Sequence, residues 1–162
     1  MTKRTLWLMV LGLLLFAACI PVKYTLEKLP DQQLYFGSGG GFTGAAREYL
    51  VLDNGQVFFF EIGVNRQDTF ELETLAKPET RDLFKRLDSL RLHKYDFVYP
   101  GNMRYYIRET DEQIDHTIQW GDPQWQIRPD VESFFRDLAA LMENRSVIDD
   151  FKEPSEKPKD PW

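Results

Sequence analysis

A glycine-rich stretch is the first part of this 162-residue sequence whose residue types could bind a chemical group. Gly39, Gly41 and Gly44 satisfy the spacing G-x-G-x-x-G, in which successive backbone amides can surround a phosphate or another anion. In dinucleotide-binding proteins this turn opens a helix, whereas residues 47–52 of this sequence alternate as a strand does. We therefore predict that Gly39, Gly40, Gly41 and Gly44 mainly form a tight connection between two strands, and we keep the same four residues as a candidate binding loop.

Other side chains that could act in catalysis or metal binding are scattered along the sequence. His93 and His116 lie far apart and lack the spacing typical of metal ligands. Asp111, Glu112 and Asp115 form an acidic cluster, but turns commonly contain such residues, and the spacing of a calcium-binding loop is missing. The sequence therefore predicts no metal, no cofactor and no identifiable catalytic residue.

The only cysteine of the chain, Cys19, follows a short apolar segment. Lys3 and Arg4 precede this segment, which runs over residues 6–16 and is followed by two alanines. As a helix it would be about 16 Å long, roughly half the hydrocarbon thickness of a bilayer, so it is too short to span a membrane. Positive charges before it and none directly after it favour insertion with the N-terminus inside, as in a signal peptide.

This order of charge, apolar run, small residues and cysteine is similar to the lipoprotein signal peptide of bacteria, with Phe16 where that family usually has leucine. The resemblance implies that residues 1–18 are removed and that Cys19 carries a diacylglycerol thioether and an acylated amino group. Two or three acyl chains are enough for stable anchoring. Ile20, rather than aspartate, follows the cysteine, which favours the outer membrane over the inner. A plain signal peptide or an uncleaved apolar anchor remains the alternative.

Composition then limits the partners of the mature chain. Loss of Lys3 and Arg4 with the signal peptide changes the formal net charge from −6 to −8. An acidic domain repels nucleic acid and anionic lipid headgroups, so we expect neither as a partner. No cysteine remains after Cys19, which excludes a disulfide, a thiolate zinc site and a cysteine nucleophile within the folded domain.

The mature chain divides into three regions. Residues 19–31 form the lipidated N-terminus and a leader too short to hold the domain far from the bilayer. Residues 32–144 contain all the hydrophobic periodicity and are predicted to form a single domain. Residues 145–162 contain three prolines among charged residues, so we predict a disordered tail.

A first hairpin is predicted over residues 48–62. Asn54-Gly55 is the preferred sequence for a two-residue type I′ turn, and it would place Leu52 opposite Val57. Both faces of this hairpin are apolar. We therefore expect it to be central in its sheet and covered on at least part of both sides.

A second hairpin is predicted over residues 104–120, with Asp111-Glu112 as its turn and Arg108 opposite Asp115. One face would collect Tyr105, Ile107, Ile114, His116, Ile118 and Trp120, and the other Arg104, Tyr106, Arg108, Asp115, Thr117 and Gln119. A pair with one apolar and one polar face belongs nearer the edge of a sheet than the first hairpin does.

Each hairpin leads to a helix that is predicted to begin at a proline, Pro78 or Pro129. The apolar stripes at helical spacing are Leu83, Phe84, Leu87 and Leu90 in the first helix, and Val131, Phe134, Phe135, Leu138, Leu141 and Met142 in the second. Further strands are expected at residues 33–36 and 69–75. The predicted fold is α+β: an antiparallel sheet built from two hairpins, with both helices on one face, in the order hairpin, helix, hairpin, helix.

The domain resembles small bacterial lipoproteins of unknown function. We predict a lipid-anchored, non-enzymatic binding or accessory protein of the cell envelope, with another envelope protein as its partner. The alternatives are a small envelope hydrolase that uses carboxylates and a carrier of an apolar ligand. A carrier requires an internal apolar pocket, an enzyme requires a cleft with converging carboxylates or histidine, and a binding module requires an exposed patch.

Overall fold

The computed structural model describes residues 22–151, so the signal peptide, Cys19 and residues 152–162 lie outside the described residues. The described part consists of one antiparallel sheet, two α-helices and a short 3₁₀-helix. Its elements are β1 (Gln33–Gly40), β2 (Ala46–Leu52), β3 (Val57–Ile62), β4 (Gln67–Leu72), α1 (Lys77–Leu90), the 3₁₀-helix (Leu92–Lys94), β5 (Met103–Thr110), β6 (Asp115–Trp120), α2 (Pro129–Glu143) and β7 (Val147–Asp150).

The seven strands form a single sheet in the order β6-β5-β1-β2-β3-β4-β7, and all neighbours are antiparallel. This confirms the α+β class but corrects the prediction of a sheet made of two hairpins. The predicted order of hairpin, helix, hairpin, helix is also wrong, because four strands precede the first helix and a seventh strand follows the second. Strand β1 lies between β2 and β5, where Phe36 pairs with Tyr49 on one side and Ile107 on the other. Each hairpin would otherwise end in an unpaired edge, and β1 satisfies both edges at once. The hairpins β2–β3 and β5–β6 are therefore parts of one continuous sheet.

Both helices contribute to one apolar cluster with the same face of the sheet, which we call the helix face. From the sheet, Phe36, Val51 and Ile107 are fully buried in it. All predicted stripe residues of α1 are buried. In α2, Val131, Phe134, Leu138 and Met142 are buried, while Phe135 and Leu141 pack partly buried against them. The helical periodicity of the sequence therefore predicted which residues form this core.

The opposite face of β2 and β3 carries a second, smaller apolar cluster of Leu50, Leu52, Phe58 and Phe60. We call it the leader face, because Tyr24, Leu26 and Leu29 of the N-terminal leader pack against it. The prediction that the first hairpin is central and covered on both sides is thus confirmed. Burial on both faces explains why nearly every residue of this hairpin is apolar.

The β2–β3 turn differs from the predicted two-residue type I′ turn. Leu52 pairs with Gln56, the amide of Gly55 donates to the carbonyl of Leu52 at 2.9 Å, and Gly55 has φ 91°. Asn54 does not have positive φ, which a type I′ turn requires at both central residues. The connection is therefore a three-residue loop that ends in a glycine bulge.

The extra loop residue shifts the register of this hairpin by one. Val51 pairs with Val57 and Leu50 with Phe58, instead of Leu52 with Val57 as predicted. A shift of one residue changes which pairs share a face. Here it places Val51 and Val57 under the helices, and Leu50 and Phe58 under the leader.

The β5–β6 hairpin has the predicted faces but a different register. Ile107 pairs with Ile118 on the helix face, and Arg108 lies opposite Thr117 rather than Asp115. Arg108 still reaches Asp115 diagonally, with its Nε 2.7 Å from Asp115 Oδ1. Since β6 ends the sheet, the prediction that this hairpin lies near an edge is confirmed.

The region after α2 is ordered where it was predicted to be disordered. Val147–Asp150 form strand β7, which pairs with β4 and extends the sheet by one edge strand. Arg145 fixes the chain just before it, because its guanidinium donates to the carbonyl of Thr74 and to the carboxylate of Glu79, each at 3.2 Å. The prediction of a disordered tail is therefore wrong for residues 145–151.

Candidate functional site

The N-terminal leader is fixed to the domain by three polar side chains at one end of the leader face. Asn54 and Gln56 lie at the β2–β3 turn, and Glu71 lies on β4. We call Asn54, Gln56 and Glu71 the leader clamp. Nothing in the sequence pattern marked these residues, because each of them contacts a leader residue at least 32 positions away in sequence.

Gln56 holds the leader as a neighbouring strand would. Its Oε1 accepts from the amide of Tyr24 at 2.7 Å, and its Nε2 donates to the carbonyl of Tyr24 at 3.2 Å. The side-chain amide of Asn54 donates to the carbonyl of Val22 at 2.7 Å and to Oε1 of Gln56 at 2.6 Å. Gln56 is only 4% exposed, so these bonds satisfy the polar atoms of a buried side chain.

Glu71 adds a charged contact to the clamp. Its side chain is 2% exposed, and its Oε1 accepts from Gln56 Nε2 at 3.2 Å. Lys23 of the leader places its Nζ 3.0 Å from Glu71 Oε2. A buried carboxylate is costly unless it is paired, so the contact with Lys23 ties the leader to the domain.

We expect Gln56→Leu to release the leader while the sheet remains folded. The substitution places an apolar side chain of similar size in the buried position but leaves the amide and carbonyl of Tyr24 without these partners. The Tyr24 amide should exchange with solvent deuterons about tenfold faster or more, as measured by native-state hydrogen exchange. Gln113→Ala, on the exposed β5–β6 turn, is the matched control and should leave this rate unchanged. Unchanged protection of Tyr24 in Gln56→Leu would show that the clamp does not hold the leader.

The candidate binding loop lies at the other end of β2, where it connects β1 to β2. Gly40, Gly41 and Gly44 all have positive φ, at 120°, 70° and 63°. Their amides donate to backbone carbonyls: Gly40 to Ala45 at 3.0 Å, Gly41 to Asn102 at 2.8 Å, and Gly44 to Gly41 at 3.2 Å. Because these donors are already used, they are not directed at an anion, and the glycines instead shape the connection.

Beside this loop the surface offers a shallow groove and one exposed aromatic ring. The groove has a volume of about 460 Å³ and includes Gly39, Gly40, Arg47 and Arg66 in its lining. Phe42, at the loop tip, has an exposure of 107% and so makes no stabilising contact with the domain. Phe42 is thus the exposed apolar residue of this loop, beside the groove.

The two histidines come closer together than the sequence indicated. Glu109 accepts from the backbone amide of His93 at 2.8 Å and lies opposite His116 in the β5–β6 pair. His116 Nε2 lies 3.2 Å from the carbonyl oxygen of Tyr95. The cavity beside Glu109 has a volume of about 100 Å³, which suits a few waters rather than a substrate. These contacts join β5 to the 3₁₀-helix and do not form a cleft.

The acidic residues of the β5–β6 turn act locally. Asp111 Oδ1 accepts from the amides of Gln113 and Ile114, each at 2.7 Å, which stabilises the turn. Asp115 forms a bidentate pair with Arg108, and this hydrogen bonding lowers the pKa of the Asp115 carboxyl. Asp111 and Asp115 thus have structural roles.

A hydrogen-bonded pair, Tyr106 and Glu48, lies on the same face of the sheet as the leader. Nothing in the sequence pattern marked this pair. Tyr106 donates from its hydroxyl to Glu48 Oε2 at 2.5 Å, and burial, followed by this bond, raises the pKa of Tyr106. Gly37 lies between them on β1, and a Cβ at this position would be only 2.8 Å from the Tyr106 hydroxyl. The guanidinium of Arg108 lies 5.4 Å from the centre of the Tyr35 ring. Glycine at position 37 therefore allows a side-chain bond to cross β1.

No protein-family model matches this chain, and no curated protein matches it in sequence. Within residues 22–151, no helix is both long enough and apolar enough to cross a bilayer. The same residues contain no group of three or more His, Cys, Asp or Glu side chains arranged to hold a metal ion.

Proposed function

We propose that this protein is a lipid-anchored domain of the bacterial cell envelope that acts by binding another envelope protein rather than by catalysis. The anchor is the diacylglycerol thioether of Cys19, which the resemblance of the N-terminus to lipoprotein signal peptides implies. The residue after Cys19 favours the outer membrane. The leader clamp is the observation that carries the proposal. It holds residues 22–24 against the domain and so keeps the domain close to the cysteine that would carry the lipid.

The clamp leaves only a short stretch of chain between the lipid-bearing cysteine and the folded domain. Val22 is the first leader residue that the clamp holds, and it is three residues after Cys19. An extended chain advances about 3.3–3.6 Å per residue, so at most about 10 Å separates the lipid-bearing cysteine from the folded domain. The domain would therefore work at the bilayer surface rather than at the end of a long tether.

The same geometry directs the candidate binding loop away from the anchor. Asn54 follows the C-terminal end of β2 and Phe42 precedes its N-terminal end, so β2 separates the clamp from the loop tip. The seven residues of β2 span roughly 23 Å. Phe42 and Gly39, Gly40, Gly41 and Gly44 would thus face a partner on the side of the domain away from the membrane.

Cys19→Ala tests the anchor. It removes the only thiol, so we expect no incorporation of labelled fatty acid, no processing at this site and loss of stable membrane attachment. Fatty-acid labelling of cells and fractionation of their membranes measure these effects. Ser38→Ala, within the domain, is the control that should be labelled and processed normally. If Cys19→Ala is cleaved normally and remains equally membrane-bound, the lipoprotein assignment is wrong.

A further inference from the structure

An open groove lies where the leader meets helix α1, at the clamped end of the domain. Its volume is about 660 Å³. Val22 and Tyr24 of the leader form one wall, and Thr80 and Phe84 of α1 contribute to the other. This groove is therefore formed partly by the leader residues that lie closest in sequence to Cys19.

Three cationic side chains line the α1 side of the groove. Lys77, Arg81 and Lys85 follow one another at a spacing of four residues and are all exposed, so they form a row along one face of the helix. Within residues 22–151, neither Lys77 nor Lys85 forms an ion pair. Arg81 lies 3.6 Å from Asp82, and both side chains are more than two-thirds exposed, so this pair is weak.

The groove is less acidic than the domain as a whole. Asp53 and Asp88 also line it and Asp82 lies next to Arg81, so three cations are balanced by three carboxylates. The complete sequence, in contrast, has a net charge of −6. Electrostatic attraction at a surface depends mainly on charges within about 8 Å at physiological ionic strength, so the exposed ammonium groups of Lys77 and Lys85 matter more here than the distant acidic residues.

We propose that the row Lys77, Arg81 and Lys85 binds the phosphate groups of anionic phospholipids in the membrane to which Cys19 attaches the protein. This inference rests on the proposed lipid anchor. Val22 lines the groove and lies at most about 10 Å from Cys19, so the anchored acyl chains bring this groove, rather than another surface, to the headgroup layer. Lysine and arginine next to a bilayer are attracted to its anionic lipids, and their long side chains can reach the phosphates.

The test uses the full chain, expressed in bacteria, purified from the membrane and reconstituted in vesicles of phosphatidylcholine alone or with phosphatidylglycerol. A water-soluble acetylating reagent modifies exposed lysines, and mass spectrometry measures the rate at each position. We expect Lys77 and Lys85 to react about fivefold more slowly in the anionic vesicles, whereas Lys94 on the 3₁₀-helix should react equally in both. Arg81→Gln should weaken this protection, and Arg136→Gln, an exposed arginine on α2, should not.

The possible results separate this inference from the anchor itself. If the chain floats with both kinds of vesicle but Lys77 and Lys85 react at equal rates, the headgroup contact is wrong and the anchor stands. Equal slowing of Lys94, or an equal effect of Arg136→Gln, would indicate a general effect of net charge and would overturn the inference. So would the same protection by inorganic phosphate added to phosphatidylcholine vesicles, because that would indicate binding of a free ion. A chain that does not float with vesicles would contradict both proposals.

Discussion

Phe134→Ala is expected to lower the free energy of unfolding by about 3–5 kcal/mol. Phe134 lies in the centre of α2, is 2% exposed and belongs to the main core on the helix face. Its ring also receives the guanidinium of Arg86 from α1, which lies 5.2 Å from the ring centre. Truncation would remove the buried ring, leave a cavity between the two helices and end this contact. Urea unfolding followed by circular dichroism measures the change.

Phe42→Ala is the matched control, since the same atoms are removed from a side chain that is fully exposed. It should change the free energy of unfolding by less than about 0.5 kcal/mol. If Phe134→Ala cost as little as Phe42→Ala, the stripe on α2 would face solvent or a partner instead of the core. If Phe42→Ala were strongly destabilising, the loop tip would have a structural role.

Gly40→Ala is expected to destabilise the protein by about 2–4 kcal/mol. Gly40 has φ 120°, a conformation that residues with a Cβ rarely adopt. A Cβ added there would also overlap the carbonyl oxygen of Asn102, which already accepts a hydrogen bond from the amide of Gly41. The substitution would therefore strain the contact between the β1–β2 connection and the segment that leads into β5. Thermal and urea unfolding of the purified variant measure the loss.

Gly44→Ala is the control within the same loop. Gly44 has φ 63°, and a Cβ added there would contact nothing within 4 Å, so the cost should be only about 1 kcal/mol. For both variants we expect partner binding to fall only as far as folding does. Alanine tolerated at Gly39, Gly40 and Gly41 without any change in melting would contradict the structural role of the loop.

Local features of the sequence predicted several elements of the fold. The prolines at 78 and 129 and the apolar residues spaced at three and four positions gave the location of both helices and the faces that they bury. Two-residue periodicity gave the faces of β5 and β6, and the absence of a polar face in β2 and β3 gave their central position. These predictions hold because burial depends on the repeat of the element itself.

Predictions that depended on turn conformation were less reliable. Asn54-Gly55 favours a type I′ turn, but Asn54 uses its side chain to bind Val22 and Gln56. Its backbone does not adopt positive φ, and a three-residue loop replaces the expected turn. The β2–β3 loop thus occurs together with a contact to the distant leader. The register of this hairpin could therefore not be predicted from the turn residues alone.

The candidate site was predicted in part. The positive φ at Gly40, Gly41 and Gly44 agrees with the expected tight connection between strands. In contrast, nothing in the sequence pattern marked the leader clamp, because isolated polar residues such as Gln56 and Glu71 resemble other polar residues at turns and in strands. Only their burial to 4% and 2% and their contacts with the leader distinguish them.

By itself, the sequence determined the helices, the alternation of the strands and the apolar run of residues 6–16 that precedes Cys19. These features are set by residues within a few positions of one another, and hydrophobic periodicity makes them visible. Tertiary structure alone decided the position of β1 between two hairpins, the pairing of β7 and the attachment of the leader to Glu71. Each of these joins segments distant in sequence, so each depends on which unpaired strand edges and buried charges need a partner after the local elements have formed.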